Sequence, residues 1–142
     1  MVSFRNQTAL ATSAPSFLLS KRFDFIDKLL DSEKVELVFC DELIAELIEI
    51  IDRPRLRNYF TIENIALIFE IIDCHAVYIP VVSSVTLCRD AKDNFLLSLA
   101  KDARADYLLT GDKDLLVLKA FDGTQIVTIK EFQTIISENI TL

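Results

Sequence analysis

The sequence predicts an α/β fold of three layers, in which helices cover both faces of a central parallel sheet. Short β-branched or aromatic runs alternate along the chain with longer segments whose apolar residues recur at helical spacing. The chain of 142 residues is 51% apolar and has only 2 Gly and 3 Pro, which is typical of a compact core. The length fits one domain over residues 1–142, with an atypical N-terminus over residues 1–15.

The first half of the chain contains a strand between two helices. Apolar residues at helical spacing predict an amphipathic helix over Phe17–Leu30. The β-branched and aromatic run Val35–Cys40 predicts a strand, and Asp41 is expected to cap the helix Glu42–Ile51. Residues 1–15 contain no convincing strand pattern.

The second half continues the alternation. Thr61 begins a helix that is expected to end near Cys74, and Pro80 makes Ala76–Val82 an edge strand or a strand end. Asp90 is the expected N-cap of the next helix. The remaining elements are a short buried strand, a last strand and a closing helix, over Tyr107–Thr110, Gln125–Ile129 and Lys130–Ser137.

Charge and composition limit the functions that are open to the chain. A formal charge of −7 opposes nucleic-acid binding through a broad basic surface. No apolar run reaches about 18 residues, so no membrane span is expected, and we expect a cytoplasmic protein. Three widely spaced cysteines predict reduced, mostly buried thiols, and His75 at a helix end predicts a structural histidine. The glycine-rich nucleotide motifs and the G-x-S-x-G motif are absent.

Acidic residues follow three of the predicted strands. Glu46 lies early in the helix after Val35–Cys40, Asp93 lies in a first helical turn, and Asp112 and Asp114 follow Tyr107–Thr110. The functional crevice of a parallel sheet lies beyond the carboxyl ends of its strands. We therefore expect these carboxylates to surround one pocket. Gly111 supports this, because glycine is expected where a backbone bends sharply or is closely approached.

Each acid also has a structural explanation. Glu46 shares one side of its helix with other glutamates, and such an acidic stripe is also typical of a solvent-exposed helix face. Asp93, in a first helical turn, can simply complement the helix dipole. If the carboxylates do cluster, a divalent cation must neutralise them, and oxygen-only donors favour Mg²⁺ or Mn²⁺. Such sites serve phosphodiester hydrolysis. Arg53 and Arg55 are then candidates for contacting a phosphate backbone, with a solvated basic turn as the alternative.

Three segments resemble one known family, the PIN-domain proteins identified as toxin components of type II toxin-antitoxin systems. They are D-E-L-I-A-E-L-I-E-I-I-D-R-P-R-L from Asp41, C-R-D-A-K-D-N-F-L-L-S-L-A from Cys88 and A-D-Y-L-L-T-G-D-K-D-L-L from Ala105. The similarity runs in order from about Ser16 to Phe132.

The resemblance implies a PIN fold and Mg²⁺- or Mn²⁺-dependent cleavage of single-stranded RNA. It also implies an antitoxin protein as partner and leaves a homodimer open. By position, Glu46, Asp93 and Asp112 match the metal-binding acids of the family. Asp114 matches a supporting acid, and Thr110 matches a hydroxyl residue near the metal.

The first motif of the family, a hydrophobic strand ending in D-T-N, is not matched. Counting back from Ser16 places Leu10, Ala11 and Thr12 at those positions, and no acidic residue precedes Asp24. Loss of the acid and an altered N-terminus both explain this. Three functions stay open: a PIN-type ribonuclease of impaired activity, a non-catalytic module that binds protein or nucleic acid, and a small-molecule phosphohydrolase.

Overall fold

The computed structural model describes residues 8–12, 35–56, 58 and 60–139. The helix predicted over Phe17–Leu30 lies outside these residues. The strands are β1 Thr8–Thr12, β2 Val35–Phe39, β3 Ala76–Tyr78, β4 Tyr107–Leu109, β5 Ala120–Phe121 and β6 Thr124–Val127. The helices are α1 Asp41–Ile51, α2 Ile62–His75, α3 Ala91–Ala103, α4 Lys113–Leu116 and α5 Ile129–Asn139, with a 3₁₀ turn over Pro54–Leu56.

The six strands form one sheet in the order β3-β2-β1-β4-β6-β5. In this spatial order, the four pairings β3-β2, β2-β1, β1-β4 and β4-β6 are all parallel. The edge strand β5 forms an antiparallel hairpin with β6. The predicted α/β fold with a central parallel sheet is confirmed. Because crossovers between parallel strands are right-handed, connections that run in opposite directions from β1 place their helices on opposite faces.

The central strand β1 was not expected, and the expectation that residues 1–15 contain no strand is wrong. Thr8 pairs with Val35 of β2, and Thr12 pairs with Leu109 of β4. Pairing on both sides satisfies the backbone groups of a segment whose own pattern is weak. Ala11 is fully buried, and α3 packs against this strand.

The observed helix N-caps agree with the predicted ones at two helices and differ at a third. Thr61 caps α2 by accepting from the backbone N–H of Asn64, and Asp90 caps α3 by accepting from that of Lys92. At α1, however, Cys40 occupies the cap position without a side-chain bond. Asp41 is the first helical residue, where its charge complements the helix dipole instead.

The later boundaries shift because turns intervene. The predicted strand Ala76–Val82 ends at Tyr78 and lies at the sheet edge, as Pro80 indicated. The last strand ends at Val127 rather than at Ile129, which already begins α5. The short elements α4 and β5 were not predicted, since four- and two-residue segments carry too little periodicity.

The core lies between the sheet and its helices. Its fully buried large side chains include Leu37 of β2, Ile68 of α2, Leu97 of α3 and Phe132 of α5. Burial of each such side chain stabilises the fold by roughly 1.5–3 kcal/mol. Phe132 also meets the ring of Tyr107 edge-on, with centroids 5.3 Å apart, which ties α5 to β4.

All three cysteines are free thiols, but only Cys40 is buried. Cys88 is half-buried and Cys74 is exposed, so the expectation of mostly buried thiols is wrong. Cys74 lies near the end of α2, on a side of the helix that the sheet does not cover. Among the helices of the described residues, none is long and apolar enough to span a bilayer.

Candidate metal centre

Three carboxylates meet beyond the carboxyl ends of the parallel strands. Asp93 lies in the first turn of α3, while Asp112 and Asp114 follow β4. One oxygen of each lies within 4.8 Å of the others. The fold thus brings together residues that are 21 positions apart in sequence, counting from Asp93 to Asp114.

The turn after β4 is held by short-range hydrogen bonds. Thr110 is buried, and its hydroxyl oxygen accepts from the backbone N–H of Asp112 at 3.1 Å. Asp112 caps α4, since its Oδ1 accepts from the backbone N–H of Asp114 at 2.9 Å. Gly111 has no positive φ and, within the described residues, no atom within 4 Å of where a Cβ would stand. Neither the backbone conformation nor the described neighbours therefore require glycine in this turn.

The segment before α3 is held just as firmly. The Asn94 side chain joins the backbone of Cys88 twice, with its Oδ1 accepting from the N–H and its Nδ2 donating to the carbonyl, both at 2.7 Å. Asp90 Oδ1 accepts from the Lys92 N–H at 2.9 Å. These bonds fix the chain on both sides of residue 89 and hold it against the helical turn that carries Asp93.

Asp93 is the buried member of the cluster. Its side chain is 4% exposed, whereas Asp112 and Asp114 are exposed. Within the described residues its Oδ2 has no hydrogen-bond partner. Burial, then the negative charge of Asp112 and a side-chain hydrogen bond with it, and then the charges of Asp90 and Asp114, raise the pKa of Asp93 to about 6. A buried carboxylate oxygen without a donor is what a cation would satisfy.

The donor set fits a hard divalent cation. All three members of the cluster offer carboxylate oxygens, and exposed neighbours leave room for the water ligands that Mg²⁺ retains. No histidine or thiolate belongs to this group in the described part of the chain. The chemistry of the residues therefore favours Mg²⁺ or Mn²⁺ over Zn²⁺.

Glu46 stands apart from this group. Its Oε1 lies 3.9 Å from the Nζ of Lys92, the residue before Asp93, so α1 faces the first turn of α3. The side chain is 25% exposed, and among the described residues it does not belong to the close cluster of three. The predicted grouping is thus present for Asp93, Asp112 and Asp114 but not for Glu46.

The two predicted phosphate-binding arginines lie elsewhere. Arg53 follows α1 and is 3.9 Å from Glu49 in an exposed i,i+4 pair, which contributes little to stability. Arg55 lies in the 3₁₀ turn and is exposed. Neither lines the cleft that contains Asp93, among the residues described there.

That cleft has a volume of about 580 Å³, and its walls include Leu87, Cys88, Arg89, Asp90, Asp93 and Asp114. Burial and the nearby negative charges raise the pKa of the Cys88 thiol. Arg89 was not predicted to line this cleft, because a single arginine forms no distinctive sequence pattern. Its place directly before a helix N-cap was the available signal.

Comparison with known proteins agrees with this geometry. The family model of the PIN domain matches residues 11–114, which include the last two residues of β1 and all three clustered carboxylates. No curated protein and no solved structure matches the chain. The match covers more than half of the chain and begins inside β1. The chain therefore belongs to the PIN-domain family.

Proposed function

We propose that this chain is a PIN-type nuclease that hydrolyses phosphodiester bonds of single-stranded RNA with Mg²⁺ or Mn²⁺. The observation that carries the proposal is the cluster of Asp93, Asp112 and Asp114, within 4.8 Å of one another, with a buried oxygen of Asp93 that lacks a partner. Membership of a family with a nuclease fold supports the same reaction class.

The carboxylates would hold the ion, and each has a distinct part. Asp93 is buried and must lose its proton before it can bind a cation, while Asp112 and Asp114 face solvent and the substrate side. Asp112 keeps one oxygen in the α4 cap, which orients its other oxygen. A bound divalent ion would supply activation of the attacking water and stabilisation of the leaving oxygen.

The chain's own residues then set the geometry of hydrolysis. A water oxygen loses a proton and forms a bond to phosphorus as the opposite ester P–O bond breaks, and the leaving oxygen takes up a proton from solvent, so that protons balance. The rigid turns at Thr110 and at Asn94 hold the acids in place, so little reorganisation is needed.

The test is cleavage of a fluorogenic single-stranded oligoribonucleotide in Mn²⁺. The wild-type protein should cut it, and Asp93→Asn and Asp112→Asn should each lower the rate by at least about 100-fold, a loss typical of a missing electrostatic group. Asp122→Asn is the matched control, because Asp122 is exposed and its left-handed backbone, with φ of 50°, suits asparagine. A wild-type protein that neither binds Mn²⁺ nor cuts RNA would overturn the proposal.

A second function is a non-catalytic module that keeps the fold to bind RNA or protein. Two observations favour it: residues 1–23 contain no carboxylate, and Glu46 is paired with Lys92 rather than grouped with the other acids. This module would bind RNA without cleaving it, and binding would survive replacement of all three clustered acids. A small-molecule phosphohydrolase would instead turn over phosphomonoesters and leave RNA intact.

We further propose a cytoplasmic role as the toxin component of a toxin-antitoxin pair. The resemblance of the three sequence segments supports this role. Expression of the wild-type chain in a bacterial host should arrest growth, and the Asp93→Asn variant at equal abundance should not. Equal growth of the two strains would contradict a toxin that acts through cleavage.

A further inference from the structure

We propose that Arg89 binds a phosphate group of the RNA at the mouth of the acidic cleft, on a backbone that Asn94 and the Asp90 cap hold fixed. The proposal rests on the proposed nuclease function and names a substrate contact for it. It replaces Arg53 and Arg55 as the expected phosphate contacts, because those residues lie outside the cleft.

The backbone of Arg89 is tied to α3 on both sides. Cys88 exchanges two hydrogen bonds of 2.7 Å with the side chain of Asn94, and Asp90 caps the helix by a bond to Lys92. The Cα of residue 89 is thereby held next to the turn that carries Asp93. A pre-organised position lowers the entropy lost when the side chain meets a ligand.

The Arg89 side chain is available for a ligand. It is exposed, and it makes no ion pair or hydrogen bond with the part of the chain that the structure describes. Lys92 lies on the same turn but faces Glu46, and Arg53 faces Glu49. Among the described residues that line the cleft, Arg89 is the only cation.

Charge explains why the cleft needs this residue. Asp90, Asp93 and Asp114 line the same walls and repel a phosphodiester. A divalent ion offsets only part of that negative charge, so a fixed positive group beside it lowers the barrier to RNA entry. The planar guanidinium of arginine also matches two phosphate oxygens at once, which the ammonium of lysine does not.

The experiment measures equilibrium binding as well as cleavage. A fluorescein-labelled single-stranded oligoribonucleotide is titrated by anisotropy in Ca²⁺, and kcat and KM are measured in Mn²⁺. For Arg89→Gln we expect Kd and KM to rise about tenfold, the loss of roughly one charge-assisted hydrogen bond, with kcat little changed. Arg89→Lys should recover part of the affinity.

Lys101→Gln is the matched control, since it removes one positive charge from an exposed position at the other end of α3. Its Kd and KM should equal those of the wild type. The Mn²⁺-induced rise in Tm should not be smaller in Arg89→Gln than in the wild type, because Arg89 contacts substrate rather than the ion and its positive charge does not favour cation binding.

Two results separate the failure of this proposal from failure of the nuclease function. If the wild type binds and cuts RNA while Arg89→Gln and Lys101→Gln bind equally well, the Arg89 contact is overturned and the nuclease stands. If Arg89→Gln loses the Mn²⁺-induced rise in Tm, it acts through the fold and the contact is again overturned. A wild type that neither binds nor cuts RNA overturns both proposals.

Discussion

Asp93 combines burial with one carboxylate oxygen, Oδ2, that has no hydrogen-bond partner among the described residues, which is costly for a folded chain. Ionising this side chain in the metal-free protein places a charge beside Asp112 with one oxygen unsatisfied. Ionised Asp93 therefore lowers the free energy of unfolding of the metal-free chain, and a bound cation would offset this loss. Such destabilising groups are common at binding sites.

The first prediction concerns Asp93→Asn in the absence of metal. The pKa of Asp93 is about 6 in the folded chain and about 4 when unfolded, so the folded state binds more protons between these values. Stability consequently falls as pH rises through this window. Asp93→Asn should be more stable than the wild type at pH 7.5 by on the order of 2 kcal/mol, and the gain should vanish near pH 4.

Urea unfolding in EDTA at pH 4, 6 and 7.5 checks this prediction. Asp122→Asn, an exposed aspartate outside the cluster, should leave the free energy of unfolding nearly unchanged at each pH. Equal stability of Asp93→Asn and the wild type at pH 7.5 would show that the buried charge carries no penalty.

The second prediction follows from the same proton. A cation can bind Asp93 only after its proton leaves, so below about pH 6 the two compete. The apparent Kd for Mn²⁺ should rise by up to about tenfold per pH unit below that value and flatten above it. Isothermal titration between pH 5 and 8 measures the profile, and a pH-independent Kd would remove Asp93 from the ligands.

At the scale of elements, one face of α3 binds the segment between β3 and α3, residues 79–90, by hydrogen bonds. Asn94, Ser98 and Asp102 recur every four residues and so lie on one face of the helix. Asp102 accepts from the backbone N–H groups of Val82 and Ser83, Ser98 from Val85, and Asn94 from Cys88. The segment thus runs along α3 from its C-terminal end to its N-terminal end, which places Arg89 at the acidic cleft.

The third prediction is that Asp102→Ala loosens this segment. The variant removes two backbone bonds of 2.7 and 2.8 Å and a bond from the Ser83 hydroxyl, and should lower the free energy of unfolding by roughly 1–3 kcal/mol. Hydrogen bonds from Ser83 hold the pKa of Asp102 below its usual range. Its contribution is therefore complete above about pH 4 and is lost as the pH falls further.

Chemical unfolding at pH 7 and at pH 3 tests the prediction, because the difference between wild type and variant should shrink at the lower pH. Asp73→Ala, on an exposed position of α2, is a control without a bond to this segment. A constant difference between Asp102→Ala and the wild type at both pH values would assign the loss to packing instead.

The sequence anticipated those elements whose pattern is local. The helix caps at Thr61 and Asp90 were predictable because each depends on a hydrogen bond to a residue two or three positions later. The proximity of Asp93 and Asp112 was predictable because functional residues of a parallel sheet lie beyond the carboxyl ends of its strands. The strand β1 could not be anticipated, because pairing with β2 and β4 decides its conformation. Arg89 was missed for a related reason: its place depends on side-chain bonds from Asn94, which no periodicity reveals.

The fourth prediction tests the acid that the family motif would supply in β1. The sequence resemblance predicts Leu10 at the position of the D-T-N aspartate, and Leu10 pairs with Tyr107 of β4, the strand that leads to Asp112. Leu10→Asp should tighten Mn²⁺ binding by up to about tenfold through the long-range attraction of an added negative charge. Ala11→Asp should instead destabilise the fold by placing a charge in the core, since Ala11 is fully buried. Calorimetric Kd values for Mn²⁺ decide it, and equal values for Leu10→Asp and wild type would contradict the placement.

For the whole molecule, charge dictates how RNA can bind. The chain carries 22 acidic and 15 basic residues and a formal charge of −7, which opposes the binding of phosphates through a broad basic surface. If the chain binds RNA as proposed, its affinity must come from few contacts in one place, at the proposed divalent ion and Arg89. This arrangement has a measurable consequence, because each phosphate contact releases counterions and makes binding depend on salt.

The fifth prediction is therefore a shallow salt dependence. With one to three phosphate contacts, the slope of log K against log of the KCl concentration should lie between about −0.7 and −2 for single-stranded RNA at fixed Ca²⁺. Arg89→Gln should reduce the steepness by about 0.7, and Lys101→Gln should not change it. Anisotropy titrations from low to high salt give all three slopes. A wild-type slope steeper than about −4 would require many more cationic contacts than one arginine at the cleft supplies, and would place the RNA on a different surface of the protein.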